Sequence, residues 1–278
     1  MTTTLVPAMT REPASTIGFG NVMLSEWTKL RSVRSTYWTA VATALLMVAL
    51  GTVICLRFAQ VAGNGGVGSL DGFDPTLTSL SGIYLAQLAV GALGVLVITS
   101  EYATGMIRAT FCAVPQRRAV LTAKAVVFGG ATLLITEILS FAAFGIGQAI
   151  LGHARVFGIR PSVSLGDPGA LRAVVGGGLY LTAVGLLGLG LGAMIRHSAG
   201  ALSAFFGLLF GASVLTDLLP TNWRNDILPY MPANAGAQIF TTVPSHDALS
   251  PWTGLGVFCL YSLVALAMGF VLIQRRDA

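Results

Sequence analysis

Six runs of about twenty apolar residues recur along this sequence, and more polar intervals of different lengths separate them. The runs cover residues 38–56, 80–99, 119–145, 171–195, 201–219 and 253–273. A helix needs about 20 apolar residues to cross the roughly 30 Å hydrocarbon core of a membrane. Only 10% of the residues are charged, against about 25% in a soluble domain. We therefore predict an all-α integral membrane protein with six transmembrane helices.

The runs and their flanks predict four regions along the chain. Residues 1–18 are mostly polar and are expected to form a disordered cytoplasmic tail. An amphipathic helix at the membrane interface is predicted for residues 19–37. A single transmembrane domain occupies residues 38–273, and a short cytoplasmic tail follows at residues 274–278.

The helix predicted for residues 19–37 carries apolar side chains on one side and polar ones on the other. Trp27 belongs to the apolar side and is expected near the membrane boundary. Lys29, Arg31 and Arg34 belong to the opposite side, together with Glu26, and the basic residues are expected to face anionic lipid headgroups. A helix of this kind can serve simply as a membrane anchor.

The polar interval from Glu101 to Lys124 contains a second, shorter amphipathic helix. Gly105 loosens the backbone at its start and Pro115 stops it. Its apolar residues recur at spacings of three and four, which places them on one face: Met106, Ile107, Thr110, Phe111 and Val114. An apolar face with basic flanks is typical of a docking element. The same interval can also be a connector whose basic residues only set the topology.

The distribution of positive charge predicts the orientation. Arginine and lysine number eleven in the segments on the N-terminal side of the predicted spans and five on the other side. Cytoplasmic loops carry the excess of basic residues, so both termini are expected in the cytoplasm, as an even number of spans requires. In a membrane protein the net charge of +5 points to orientation and lipid headgroups and not to nucleic acid.

No motif for catalysis within this chain is present. The sequence lacks GxxxxGK[ST], HExxH and GxSxG, and neither of its two lysines follows a glycine. The three cysteines are isolated and have no CxxC or Cys/His spacing, so no metal site is predicted. We expect a chain that is not an enzyme and holds no cofactor.

Glu137 is the one ionisable residue predicted deep inside a span. A charge at that depth is costly and usually faces a bundle interior or a cavity. Glu137 can line a substrate path or gate, or it can hydrogen-bond a neighbouring helix in its protonated form.

The order of residues in the polar interval resembles the cytoplasmic loop of type-2 ABC transporter permeases. The matching positions are Glu101, Gly105, Pro115, Arg118 and Lys124. In that family the loop between spans two and three forms a coupling helix that docks on a separate ATP-binding subunit. Residues 19–34 are similar to the family's interfacial connecting helix.

The resemblance implies a permease subunit of a bacterial exporter in the plasma membrane. Two permease subunits, identical or different, would form the pathway, and two ATP-binding subunits would carry the ATP and magnesium. The substrate would be lipid-like, drug-like or a natural product. The expected partner contacts are Met106, Ile107, Arg108 and Phe111, with Glu101 and Arg118 holding the ends of the loop.

Two other classes of protein remain open at this point. A self-sufficient secondary carrier or channel would show internal repeats and charged or broken helices at mid-membrane, and no convincing repeat relates residues 38–145 to residues 171–273. A membrane sensor or immunity protein that transports nothing is the third possibility.

Overall fold

A computed structural model describes residues 18–64, 66, 69–113, 116–156, 159–216, 218, 220–243 and 248–275. The predicted N-terminal tail lies outside the described residues except for Gly18. Val114, Pro115 and the last three residues also lie outside them, as does the side chain of Phe111. All strand pairing within the described ranges is confined to one isolated bridge, between Val156 and Ile159.

Eleven helices form the described part of the chain, and the short ones cluster in the connections. They are α1 (Phe19–Ser32), α2 (Arg34–Gly63), α3 (Pro75–Leu80), α4 (Ile83–Ala103), α5 (Met106–Ala113), α6 (Arg117–His153), α7 (Ala170–Ile195), α8 (Ser198–Phe206, Gly207–Gly211 and Ala212–Thr216), α9 (Thr221–Ile227), α10 (Pro232–Ala237) and α11 (Pro251–Arg275). Helices α2 and α8 each contain one π-helical turn, at Leu45–Ala49 and Gly207–Gly211.

Helix α7 is the central element of the fold and packs against α4, α6 and α11. Its many glycines allow neighbouring backbones to approach closely. A Cβ atom on Gly188 would clash with the carbonyl of Gly91 in α4, and one on Gly192 would lie 3.0 Å from the carbonyl oxygen of Val95. Close backbone approach through small residues is a main way in which helices pack inside a membrane.

Two charged residues organise the end of the fold opposite α1 and α5. Asp74 accepts the backbone N–H of Leu77 and so caps α3, and its other oxygen accepts the N–H groups of Thr242 and Val243. Arg172, near the start of α7, donates to the carbonyls of Gln238, Ile239 and Thr241. These bonds hold the segment between α10 and α11 against the helix bundle.

The structure confirms the all-α prediction for the described residues. Five helices are long and apolar enough to cross a membrane: Arg34–Gly63, Ile83–Ala103, Arg118–His153, Ala170–Ile195 and Pro251–Arg275. The segment expected as the fifth of six spans lies in α8, which has only a shorter apolar stretch, Ser198–Gly211. Six spans therefore stay a prediction.

Several boundaries differ from those expected. The third predicted span continues for another two turns, to His153, and α11 extends through Arg275 into the region expected to be a tail. A separate helix, α3, takes up the start of the second predicted span, so that α4 begins only at Ile83. The longest polar interval is ordered over much of its length, because α9, α10 and two short 3-10 turns occupy it.

We predict that Gly188→Ala weakens the packing of α7 on α4. The added methyl group would meet the Gly91 carbonyl, and overpacking of this kind typically costs about 1–3 kcal/mol. The midpoint of thermal unfolding in detergent should fall. Gly130→Ala in α6 is the matched control, since its new Cβ meets nothing within 4 Å, and an unchanged midpoint in both variants would contradict the close approach.

Candidate functional site

Helix α5 projects from the bundle at the end where α4 finishes and α6 begins. Gly105 has a φ of 71°, a left-handed conformation that glycine adopts without strain, and it lets the chain turn from α4 into α5. Ile107 is buried, whereas Met106 is 44% exposed and Arg108 and Cys112 are also exposed. One side of α5 therefore packs on the protein and the other is free to meet a partner.

Lys124 lies beside α5, within the first turns of α6, and pairs with two carboxylates. Its Nζ bonds Oε2 of Glu26 in α1, and Oε1 of Glu101 at the end of α4 lies 2.9 Å away. The three residues are only 3–4% exposed. The two ion pairs thus join α1 to α4 and α6, two helices that come much later in the chain.

Lys29 extends this network to α5. Its Nζ lies 2.7 Å from Oε1 of Glu26 and 3.3 Å from Oε1 of Glu101, and it donates to Oγ1 of Thr110 in α5 at 3.3 Å. We call Glu26, Lys29, Glu101 and Lys124 the ionic cluster. It contains both lysines of the chain and is formally neutral, with two charges of each sign.

Lys29 keeps its charge at neutral pH. Burial lowers the pKa of Lys29, but the hydrogen bond to Glu26 and the charge of Glu101 outweigh it, so the pKa lies above its ordinary value of 10.5. A raised lysine pKa stabilises the fold while the lysine is protonated. This stabilisation is therefore complete at neutral pH and is lost only as the pH rises above that value.

A narrow cavity of about 60 Å³ adjoins the ionic cluster. Its polar wall is formed by the four cluster residues, and its apolar wall includes Leu93, Leu96 and Val97 of α4 and Phe128 of α6. It lies at the elbow where α1 meets α2, since Val33, Ser35 and Thr36 also line it.

The structure brings together only part of the predicted site. Glu101 anchors the start of the α5 segment through the cluster, and Arg118 donates to Oε1 of Gln274 in α11 at 2.7 Å. Ile107 was expected on the docking face but is only 4% exposed, so it anchors α5 to the protein. The side chain of Phe111 and the whole of Pro115 lie outside the described part of the chain, so their expected roles stay predictions.

The orientation of α1 differs from the prediction. Glu26 and Lys29 were expected on the outer, polar side, but both point into the protein, whereas Trp27, Arg31 and Arg34 are exposed. Glu26 pairs with Lys124 and Lys29 pairs with Glu101. Amphipathic patterning within α1 cannot reveal these partners, because they belong to other helices. The sequence did contain one signal of this pairing: Glu26 and Lys29 are three residues apart on a helix, a spacing that brings opposite charges together.

Glu137 lies midway along α6 and faces α7. Gly178 makes room for it, because a Cβ there would lie 2.5 Å from Cδ of Glu137. Among the described residues no partner binds its Oε2, while the adjacent Thr136 donates to the Gly178 carbonyl at 3.1 Å. Both interpretations of Glu137, pathway and structural, stay open.

No protein-family model matches the sequence, and no curated protein matches it. Within the described part of the chain no group of three or more histidine, cysteine, aspartate or glutamate residues could hold a metal ion. The site is therefore defined by its geometry: an exposed helix face connected to three other helices through buried charges.

We predict that Lys124→Met strongly destabilises the protein. It leaves Glu26 and Glu101 buried without their closest shared cation, and removing one partner of a buried ion pair costs about 3–5 kcal/mol. Thermal unfolding in detergent would show a lower midpoint. Arg31→Met, at an exposed position of α1, should change stability by less than about 0.5 kcal/mol. Equal midpoints for the two variants would contradict a stabilising cluster.

Proposed function

We propose that this chain is the membrane-spanning permease subunit of an ABC exporter, driven by ATP hydrolysis in a separate subunit that docks on α5. The observation that carries the proposal is the connection of the exposed face of α5 to α1, α4 and α6 through the ionic cluster. Together with the resemblance of residues 101–124, it supports α5 as a coupling helix between the second and third spans.

The connections of α5 suit the transmission of movement. Thr110 of α5 accepts a hydrogen bond from Lys29, and Lys29 contacts Glu101 at the end of α4. A partner that displaces α5 would pull on α1 and α4 together, and Lys124 would carry the movement into α6. Closure of an ATP-binding dimer beneath the membrane would thereby tilt the spans.

Contacts at both ends of α8 support six spans. Ser198, at its start, donates to Thr99 near the ionic cluster at 3.0 Å, and the last part of α8 contacts α10 at the opposite end. Its 19 residues, Ser198 to Thr216, would extend about 28 Å. The chain would then begin and end on the cytoplasmic side of a bacterial plasma membrane.

A second permease subunit would complete the pathway. Gly188 and Gly192 are used inside the bundle, but a Cβ on Gly207 or Gly211 meets nothing within 4 Å. The two glycines are four residues apart on α8, a spacing that favours contact between membrane helices. This face suits a second copy or a related chain. The apolar spans favour an amphiphilic, lipid-like or drug-like substrate.

We predict that Met106→Asp separates the permease from its motor. An unpaired carboxylate in place of the apolar Met106 side chain costs free energy on binding, so the ATP-binding protein recovered with the tagged chain in mild detergent should fall about tenfold, or about 1.4 kcal/mol. Mass spectrometry identifies a P-loop partner, and the same sample is assayed for ATPase activity. Leu165→Asp is the control, with 41% exposure against 44% for Met106 but on a connection at the opposite end.

Two outcomes of this experiment would contradict the proposal. Undiminished partner recovery and ATPase activity in Met106→Asp would remove α5 as the docking site. Recovery of the wild-type chain without a P-loop protein or ATPase activity would favour a self-sufficient carrier, for which Glu137, between α6 and α7, is a candidate pathway residue.

We also predict that Cys112 reacts from the cytoplasmic side. It is exposed on α5, whereas Cys55 is buried and Cys259 lies within the apolar helix α11. A membrane-impermeant maleimide should label inside-out vesicles but not intact cells. Leu165→Cys in a Cys112→Ser background is the control and should show the reverse pattern. Labelling of Cys112 in intact cells would overturn the proposed orientation.

A further inference from the structure

An open groove lies between the last turns of α2 and the last turns of α6, at the end of the bundle opposite α5. Its volume is about 840 Å³, within the roughly 300–1,000 Å³ that is typical of ligand pockets. Its lining residues recur at helical spacing on both helices and include Leu56, Ala59 and Gly63 of α2 and Ile146, Ala149 and His153 of α6. The groove is therefore formed by one face of each helix, and its small residues leave it open.

The mouth of the groove is basic. A polar recess of about 490 Å³ adjoins the groove, shares His153 and Arg155 with it and adds Arg160. The three side chains are exposed. Every ion pair among the described residues lies in the ionic cluster, so the described part of the chain supplies no carboxylate partner to either arginine.

The backbone holds the two arginines opposite each other. Val156 and Ile159 exchange two hydrogen bonds, of 3.0 and 2.9 Å, and form an isolated antiparallel bridge. In this register Arg155 and Arg160 are the next opposing pair, and opposing side chains of an antiparallel pair have Cβ atoms about 5 Å apart. Like charges in such a pair are destabilising, so an anion bound between the two guanidinium groups would remove a repulsion.

Gln148 fixes the position of this pair relative to the helices. Its amide nitrogen donates to the carbonyl of Pro75 at 3.0 Å and to the hydroxyl of Ser79 at 2.9 Å, and its amide oxygen accepts the N–H of Val163. The chain is thus attached to α6 before the bridge and to α6 and α3 after it. A backbone ordered in advance reduces the free energy lost on binding.

The charge and the shape of the site together restrict its ligand. Guanidinium groups bind phosphate through paired N–H···O hydrogen bonds, whereas a headgroup with its own ammonium group would bring a positive charge close to them. The apolar part of the groove follows α6 from His153 to Ile146 for about 10 Å, and Leu56 and Ile146 are 45% and 40% exposed. A free phosphate would leave these apolar surfaces uncovered, and an acyl chain would cover them.

We propose that the groove between α2 and α6 binds an anionic phospholipid whose headgroup carries no ammonium group, because Arg155 and Arg160, for which the described residues supply no carboxylate, oppose each other at the mouth of an open apolar groove. The phosphate lies between the two guanidinium groups, and one acyl chain lies along α2 and α6. The bound lipid holds these helices together at the end opposite the ionic cluster. The inference does not depend on the proposed transport function, since it concerns the isolated chain.

Native mass spectrometry of the full chain purified in detergent tests the proposal by lipid titration. Phosphatidylglycerol should bind about tenfold more tightly than phosphatidylcholine with the same acyl chains, because the choline cation is repelled by the two arginines. Water-soluble glycerophosphoglycerol lacks the acyl chains and should not compete at the same concentration. The double variant Arg155→Gln, Arg160→Gln should remove the preference, whereas Arg224→Gln, at an exposed arginine of α9 outside the groove, should keep it.

A second variant tests the groove and leaves the arginines unchanged. A Cβ atom on Gly63 meets nothing within 4 Å, so Gly63→Phe places its ring in the groove without displacing a helix, and phosphatidylglycerol binding should weaken about tenfold. Gly130→Phe in α6 is the matched control, because its Cβ atom also meets nothing within 4 Å and it does not line the groove. It should bind like the wild type.

Four outcomes would overturn the proposed site. They are equal binding of the two lipids by the wild type, an unchanged preference in the double arginine variant, loss of the preference in Arg224→Gln, and unchanged phosphatidylglycerol binding in Gly63→Phe. Full competition by glycerophosphoglycerol would overturn the assignment to a lipid, because the phosphate alone would then account for binding.

Discussion

The arrangement of helices at one end of this protein depends on the pairing of Lys124 with Glu26 and Glu101. All three side chains are almost fully buried, and a buried charge is tolerated only when it is paired and hydrogen-bonded. The pairs therefore require α1, α4 and α6 to meet in one register. Lys29 adds α5 to the same requirement through Thr110.

Different interactions hold the middle and the opposite end of the bundle. In the middle, the backbones of α7 and α4 approach closely at Gly188. Because this contact depends on complementary shape, the two helices have little freedom to slide past each other. At the opposite end, Asp74 and Arg172 bind backbone groups of the segment that follows α10. Under the proposed function, a bundle closely packed in its middle and held by charges at its ends would move as whole helices when a partner displaces α5.

Glu101 connects the proposed docking helix α5 to the helices of the bundle. Its Oε1 lies within ion-pair distance of Lys29 of α1 and Lys124 of α6. If a partner docks on α5 as proposed, its displacement would act on α1, α4 and α6 through this one residue.

The sequence by itself determined the helical class, most of the long apolar helices and the position of the short helix after Gly105, because length, hydropathy and helical spacing are local properties of the chain. It could not determine that Glu26 and Lys29 point inward. Lys29 pairs with Glu101, 72 positions away, and Glu26 pairs with Lys124, 98 positions away. Burial of these charges becomes favourable only when α1 meets α4 and α6. Tertiary packing also decided the room for Glu137 beside Gly178 and the inward position of Ile107. Each depends on which part of the protein lies opposite the residue.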